Sequence, residues 1–327
     1  LAEADNWLAD SRESRRVEGE AEALGLRTRV LWRLGRRREA LAAAGSGIEA
    51  ARRIGRSRLL AQLITSEVEM LAERGQLRTA LERLERGRRA LGEAAASSDV
   101  SALLASEARL AAALGQEERV RELADRLGWS AEAGTKARAQ RALAVGTAAM
   151  RAARPEAARE RLQEGCFLAR RAGAPETEMR GLLALSESYL ELRESDRARL
   201  ALRKVRELAE PAGAEEALAC ARLMGAELEL ADPGGDMKAA RDEAELAAQT
   251  LADRERGDLA WRAWLAVHQS AVRAGDEEAA GRSRERAARA ADAFLAGMPD
   301  AARRSWESRP RVRAALELSR PAPEESG

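Results

Sequence analysis

The sequence is poor in the residues that form most active sites. Among its 327 residues there are one histidine, two cysteines and 3% aromatic residues. A single histidine excludes a metal motif of repeated histidines and argues against a conventional His–Cys catalytic pair. Cys166 and Cys220 stand alone on helical stretches, and we expect both thiols to pack as small apolar residues in a reducing cytosol. We therefore predict no enzyme activity, no cofactor and no bound metal.

Long apolar segments and an excess of charge of one sign are also missing. No apolar run approaches the roughly 18 residues that a membrane-spanning helix needs, and no signal peptide is visible. A cytoplasmic protein that does not contact a membrane is therefore expected. The 56 basic and 55 acidic residues give a net charge of +1, and the basic cluster at 36–38 has no interleaved aromatic residues. Direct nucleic-acid binding is for these reasons not expected.

Lysine is nearly absent. All basic residues except Lys136, Lys204 and Lys238 are arginines. Arginine recognises phosphate and carboxylate groups well, but GC-rich coding, which favours arginine and alanine throughout, is the preferred explanation.

What the sequence does contain is a turn that recurs about every 40 residues. Glycine marks it at 35, 75, 115, 235 and 275, whereas 154–158 and 194–198 show the same pattern without glycine. The small residue after each turn is in order Ala40, Ala80, Val120, Ala158, Ala198, Ala240 and Ala280. A fixed period of this size predicts a stacked repeat. Apolar residues at three- and four-residue spacing on both sides of the turn predict two helices in each repeat.

The predicted fold class is all-α, and the architecture is an α-solenoid of about seven helix-turn-helix repeats. Only eight prolines interrupt a composition dominated by Ala, Glu, Leu and Arg, which is typical of long helices. Residues 1–15 are predicted as the second helix of a truncated repeat, 16–295 as the repeat array, 296–319 as a capping helix and 320–327 as a disordered tail. Because the chain begins at Leu1, inside a repeat and without methionine, we expect it to be part of a longer protein.

The repeats resemble tetratricopeptide repeats. The family places a large residue, a small residue and an aromatic residue in the first helix and an alanine in the second, and Leu182, Ser186, Tyr189, Ala198 and Leu202 match this pattern. Further matches are Trp264, and Gly146 with Ala158. The resemblance implies a right-handed superhelix that binds proteins. The extended period is similar to arrays attached to bacterial signalling ATPases, transcription regulators and Ser/Thr kinases.

The same resemblance implies a concave groove lined by the first helices, in which a peptide or a partner protein binds. The groove candidates carried over from the family's geometry are Arg29, Trp32, Arg33, Glu69, Glu73, Arg109, Met150, Arg151, Arg180, Glu187, Glu191, Arg262, Gln269 and Arg273. Trp32, flanked by arginines, could anchor a peptide, or it could pack against the preceding repeat. The candidates are mixed in sign, so the chemistry of the ligand stays open.

Three other features have structural interpretations. His268 lies four residues after Trp264 on an inward stripe, which favours a packed, hydrogen-bonded histidine over a catalytic one. Asp232 and Asp236 flank a tight turn without the ligand ladder of a calcium loop. The glycines at 45 and 47 lack the following lysine of a phosphate loop, and they are interpreted as positions of close helix packing.

The leading hypothesis is a non-catalytic protein-interaction scaffold, the repeat segment of a larger bacterial signalling protein. The alternative is a peptide-sensing domain of a transcription regulator that gates an attached DNA-binding domain. The domain that precedes this segment in the full-length protein would discriminate between them.

Overall fold

The structure, a computed structural model, describes residues 1–92, 97–127 and 134–318. These residues form seventeen helices and no strand, which confirms the all-α prediction. The predicted tail at 320–327 lies outside the described residues. The helices are α1 (Ala2–Glu13), α2 (Val17–Arg33), α3 (Arg37–Arg53), α4 (Ser57–Glu73), α5 (Leu77–Leu91), α6 (Ser97–Ala113), α7 (Glu117–Arg126), α8 (Thr135–Arg151), α9 (Pro155–Arg171), α10 (Pro175–Glu191), α11 (Ser195–Ala212), α12 (Glu215–Ala231), α13 (Met237–Asp253), α14 (Gly257–Ala274), α15 (Glu277–Ala296), α16 (Asp300–Glu307) and α17 (Pro310–Glu317).

The chain divides into two compact units, Leu1–Leu110 and Ala111–Gly327, termed unit 1 and unit 2. In unit 1, consecutive helices within the series α1 to α5 pack against each other. In unit 2, consecutive helices within the series α8 to α15 do the same. Helices stacked in chain order, each pair closed by a short turn, make an α-solenoid. None of the helices placed by the structure is long and apolar enough to cross a membrane.

Most helices have 17 residues, and a short turn separates each from the next. Their first residues consequently fall at intervals of about 20, for example Val17, Arg37, Ser57 and Leu77. The α13 helix starts two positions late, at Met237, because a longer turn precedes it. The 40-residue repeat of the sequence is therefore two structurally similar helix-plus-turn segments in succession.

Most of the described turns share one conformation at the helix end. Gly35 has a φ of 74°, and the N–H of Arg36 donates to the carbonyl oxygen of Leu31 at 2.9 Å. This left-handed residue followed by a bond reaching back five residues satisfies a carbonyl that the helix leaves unpaired. Ala153 and Arg193 adopt the same φ, 57° and 59°, without being glycine. The two turns that were predicted without a glycine therefore have a similar conformation to the turns that contain one.

Alanine gives the layers their close spacing. The alanine-type positions are all buried, from 0% exposure at Ala40 to 8% at Ala280. The fit is tightest between α8 and α9, where a Cβ added to Gly146 would lie 2.7 Å from Leu162 Cγ and 3.2 Å from the Leu162 backbone nitrogen. A side chain at position 146 would push the two helices apart.

The segment after α15 differs from its prediction. One capping helix was predicted within 296–319, and the structure has two helices there, α16 and α17. Pro310 is the first residue of α17, and Arg309 before it is extended, with φ −73° and ψ 136°. The break follows from proline, which disfavours helical backbone in the residue before it. Val312 and Ala315 of α17 are buried, and α17 packs against α14 and α15.

Candidate functional site

The first helices of the repeats form a continuous surface within each unit. In unit 1 these are α2 and α4, which contact each other as well as α3 and α5. In unit 2 they are α8, α10, α12 and α14, and each contacts the next member of that series. We call these surfaces the first-helix layer of unit 1 and of unit 2. Among the helices described, no pair of second helices approaches as closely.

The first-helix layer of unit 1 carries an open cavity of about 360 Å³. Its apolar wall is formed by Trp7, Leu26, Leu59 and Leu63. Trp7 is 39% exposed, so an indole faces solvent at the cavity edge. Gly25 lines the cavity, and a Cβ at this position would lie 3.4 Å from Leu59 Cδ1 and occupy part of the space.

Three arginines border this cavity, and two of them are unpaired within the described residues. Arg29 comes from α2 and Arg58 from α4, and both are exposed. Within the described residues neither guanidinium forms an ion pair or donates to another side chain. By contrast, Arg56 at the same edge is paired with Glu18. Arg29 was a groove candidate, whereas Arg58 and Trp7 were not.

The other candidates of unit 1 are engaged within the chain. Trp32 is half-buried against the cluster of Leu31, Ala40 and Met70, with the Arg37 guanidinium 6.0 Å from its ring centre. Trp32 therefore packs against residues of its own repeat and against Met70 of the following repeat. The Arg37 guanidinium is 1% exposed, and its Nη1 lies 2.7 Å from Glu73 Oε2. Of the remaining candidates, Glu69 and Arg109 form an ion pair, and Arg33 is exposed.

The first-helix layer of unit 2 holds a buried ion network. Glu187 of α10 accepts from Arg151 of α8 at 3.1 Å and from Arg262 of α14 at 2.8 Å. Arg262 also donates two hydrogen bonds to the Glu227 carboxylate of α12, at 3.1 and 2.8 Å. Three of the four residues, Arg151, Glu187 and Arg262, were predicted groove residues, and the structure brings them together.

Burial and charge oppose each other in this network. Burial alone would raise the pKa of Glu187, but the attraction of Arg151, Arg262 and Arg311 outweighs it and holds that pKa well below its usual range. Burial would likewise lower the pKa of Arg262, and Glu227 and Glu187 raise it instead. Each charge of the network is compensated by direct bonds to a group of opposite charge.

The C-terminal helices lie across the same layer. Arg309 donates to the main-chain oxygen of Arg151, the last residue of α8. Arg311 approaches Glu191 of α10 at 3.6 Å and Glu227 of α12 at 3.4 Å. These contacts join α17 and its preceding turn to three first helices besides α14.

An aromatic group fixes this segment at its other end. Trp306 of α16 meets the Phe294 ring edge-on at 5.1 Å, and Phe294 stacks on Trp261 of α14 at 5.9 Å. The guanidinium groups of Arg309 and Arg151 lie 4.0 and 5.5 Å from the Trp306 ring centre. Trp306 is therefore held between an aromatic stack and two cations.

The remaining candidates of unit 2 do not join the network. Met150 is buried in the hydrophobic core that also contains Leu182 and Tyr189. Arg180 and Gln269 are exposed, and Arg273 Nη1 donates to the carbonyl oxygen of Leu230 at 2.6 Å.

Sequence reasoning missed Glu227, Trp306, Arg309 and Arg311. Glu227 could have been found, because it lies one 40-residue repeat after Glu187. The C-terminal residues carry no periodic signal.

The other singled-out residues serve the fold. His268 Nδ1 lies 2.9 Å from the carbonyl oxygen of Ala280, as expected of a packed histidine. Asp236 Oδ1 accepts from the backbone N–H groups of residues 238 and 239 at 3.0 Å, which caps α13. Burial raises the pKa of the Cys166 and Cys220 thiols to about 12. In the part of the chain that is described, no three His, Cys, Asp or Glu residues are grouped to hold a metal ion.

Comparison with known proteins gives no family. No family model matches the chain, and no curated protein matches it. Among solved structures, it is similar to a circular tandem repeat protein with novel repeat topology and enhanced subunit contact surfaces. The two are 18% identical over 96% of this chain and 86% of that chain, with a TM-score of 0.27. The class of the protein, an all-helical repeat protein, follows from the order and packing of its own helices.

Proposed function

We propose that this chain is a non-catalytic protein-interaction scaffold that binds a peptide or a domain of a partner protein on its first-helix layers. The observation that carries the proposal is the open cavity of unit 1. There Arg29 and Arg58 border an apolar wall, and within the described residues neither is engaged in an ion pair. Guanidinium groups bind carboxylates with two parallel bonds, and a concave apolar wall buries a side chain. The cavity suits an apolar residue with a neighbouring carboxylate.

The finer proposal is a tetratricopeptide-like segment of a larger bacterial signalling protein. Its support is the pattern of the fifth repeat, where Leu182, Tyr189, Ala198 and Leu202 pack in one core and Ser186 is buried beside them. A peptide-sensing domain of a transcription regulator would use the same surface. The domain encoded next to this segment in the full gene distinguishes the two: a kinase or ATPase favours the scaffold, and a DNA-binding domain favours the sensor.

The binding proposal is tested with a display library of random linear peptides, panned on the full chain. Selected peptides are labelled, and their dissociation constants are measured by fluorescence anisotropy. We expect the double variant R29E/R58E to bind the selected peptides at least tenfold more weakly, because carboxylates would face two new negative charges. The matched control is R86E/R89E, which places the same charge change on exposed positions of the second helix α5.

Two results would contradict the proposal. One is a library that yields no peptide with a measurable dissociation constant. The other is a set of selected peptides that lose as much affinity to R86E/R89E as to R29E/R58E, which would indicate a general charge effect rather than binding in the cavity.

A further inference from the structure

The C-terminal helices satisfy a surface that would otherwise be acidic. Without them, the first-helix layer of unit 2 presents Glu187, Glu191 and Glu227 against Arg151 and Arg262, a net charge of −1 for this group. Arg311 supplies a cation shared by two of the three carboxylates. The layer is thus complementary to an arginine presented on a short helix.

Two contacts of the docked segment are poor. Arg309 lies close to Arg151, and burial together with the repulsion of Arg151 lowers the pKa of Arg309 to about 10. Trp306 is 8% exposed, and its Nε1 has no hydrogen-bond acceptor among the described residues. A like-charge neighbour and a buried donor without a partner both oppose docking. These two contacts therefore weaken the docking of the segment.

A segment that belongs to the same chain as the surface also has an advantage that no separate molecule has. Its effective concentration at the surface is on the order of millimolar when the connection is short. A partner has to exceed that advantage with better contacts, for example an acceptor for the indole N–H or an arginine placed away from Arg151. Because the contacts of Arg309 and Trp306 are unfavourable, a partner with better contacts can bind this surface more tightly than the internal segment does.

We propose that the first-helix layer of unit 2 is the docking surface for an arginine-bearing helical segment of a partner protein, and that α16 and α17 occupy it as an internal competitor. This inference deepens the proposed function and rests on it for the existence of a partner. The expected partner presents a short helix with an aromatic residue at one end and an arginine facing Glu191 and Glu227. Binding of the partner releases residues 300–318 from the layer.

The test uses the full chain and a fluorescein-labelled synthetic peptide with the sequence of residues 300–318 as the probe. In the wild-type chain the internal segment competes with the peptide. In the variant R309E/R311E the internal segment is repelled by the acidic layer, so we expect the peptide to bind at least tenfold more tightly than to the wild type. Adding E191Q and E227Q to that variant is expected to return the affinity to the wild-type level or below it.

The matched control is R303E/R313E, which makes the same charge change within the same segment. Arg303 pairs with Glu307 of its own helix, and among the described residues Arg313 donates to the carbonyl oxygen of Ser308. Peptide affinity of this control should equal that of the wild type. Circular dichroism of each variant establishes that its helices are intact.

A second measurement needs no substitution. Hydrogen exchange of residues 300–318 in the wild type should become faster when unlabelled peptide is added in excess, because the peptide takes their place. Unchanged exchange, or equal peptide affinity for the wild type, R309E/R311E and R303E/R313E, would overturn the proposal. A wild-type chain that is dimeric and becomes monomeric in R309E/R311E would assign the surface to a second copy and overturn it as well. Because the probe is a part of this chain, the result is independent of the library selection at the unit 1 cavity.

Discussion

Arg262 and Glu187 form a buried ion pair across 75 positions of sequence, with Nη1 2.8 Å from Oε1. Their helices, α14 and α10, are separated in the first-helix layer by α12, whose Glu227 bonds to the same guanidinium. One arginine thereby spans three consecutive repeats. Buried ion pairs are weak evidence for stability, since hydrophobic replacements of similar volume are often as stable, but breaking one is costly. The pair therefore fixes the relative position of these helices.

Replacing Glu187 with glutamine should destabilise the protein strongly. The variant leaves two arginines facing an uncharged amide in a buried site, and removing one partner of such a pair costs roughly 3–5 kcal/mol. We expect the lower end, because Arg262 keeps Glu227. The midpoint of urea unfolding, followed by circular dichroism, measures it. Glu191→Gln on the same helix is the control, and as a half-exposed pair it should change the free energy of unfolding by less than about 1 kcal/mol. Equal losses in the two variants would disprove the network's role.

The pKa shift of Glu187 also determines how the difference in unfolding free energy between the wild type and Glu187→Gln depends on pH. The pKa of Glu187 is depressed in the folded chain, so its contribution is present above the unfolded carboxyl pKa of about 4.3 and is lost as the pH falls toward the folded value. The gap in unfolding free energy between wild type and Glu187→Gln should therefore be constant from neutral pH to about pH 5 and shrink only in stronger acid. Urea unfolding at a series of pH values tests this. A gap that closes between pH 8 and pH 6 would be incompatible with it.

Glycine should stabilise the turns that lack it. Ala153 and Arg193 occupy the left-handed region, which costs a non-glycine residue roughly 1–2 kcal/mol. Because glycine also loses more backbone entropy on folding, we expect A153G and R193G each to gain about 0.5–1 kcal/mol in unfolding free energy. The reverse change, Gly75→Ala at a φ of 80°, should lower it by a similar amount. Thermal unfolding of the three variants measures both signs, and a loss in A153G and R193G would refute the argument.

Two helical glycines should respond in opposite directions to alanine. In Gly146→Ala the new methyl group would lie 2.7 Å from Leu162 Cγ, and overpacking of this kind costs roughly 1–3 kcal/mol. In Gly281→Ala the methyl group meets nothing within 4 Å, and the helix gains about 0.5–1 kcal/mol. The order of melting temperatures should be Gly281→Ala above wild type and Gly146→Ala below it. Any other order would show that the layers adjust freely.

Both cysteines should be inert in the folded chain. Burial raises the pKa of each thiol to about 12, so almost no thiolate is present at pH 8, and only the thiolate reacts with iodoacetamide. Intact mass after incubation should show an unmodified native protein and two added groups in urea. Rapid modification of the native protein would show that α9 or α12 opens locally.

The fold was predictable because its determinants are local and periodic. A small residue every 40 positions and apolar residues at helical spacing identify buried stripes, and Ala80, Val120 and Ala198 are indeed fully buried. The turns at Ala153 and Arg193 were identified by their neighbours although glycine is absent. The break before Pro310 was also available from the sequence, since proline restricts the residue before it, yet it was predicted as continuous helix.

The binding surfaces were only partly predictable. Arg151, Glu187 and Arg262 lie on first helices, and they could be named together because the tetratricopeptide resemblance implies that first helices line a groove. Arg309 contacts a residue 158 positions earlier, and no local pattern can indicate an interaction over that separation. Trp7 and Arg58 meet Arg29 only because three helices converge, which depends on packing angles that composition does not set.

Most of the described turns are similar, within repeats as well as between them, and this similarity has a consequence for how such a gene can change in length. Because the turn inside a repeat matches the turn between repeats, the backbone itself does not mark which helix belongs to which layer; the side chains alone do. An in-frame duplication of one helix and its turn would move every downstream first helix to the opposite layer and present its charged face to the wrong neighbour. Duplication of a helix pair preserves the alternation. Selection for a folded product therefore restricts expansion and contraction of this array to even numbers of helices.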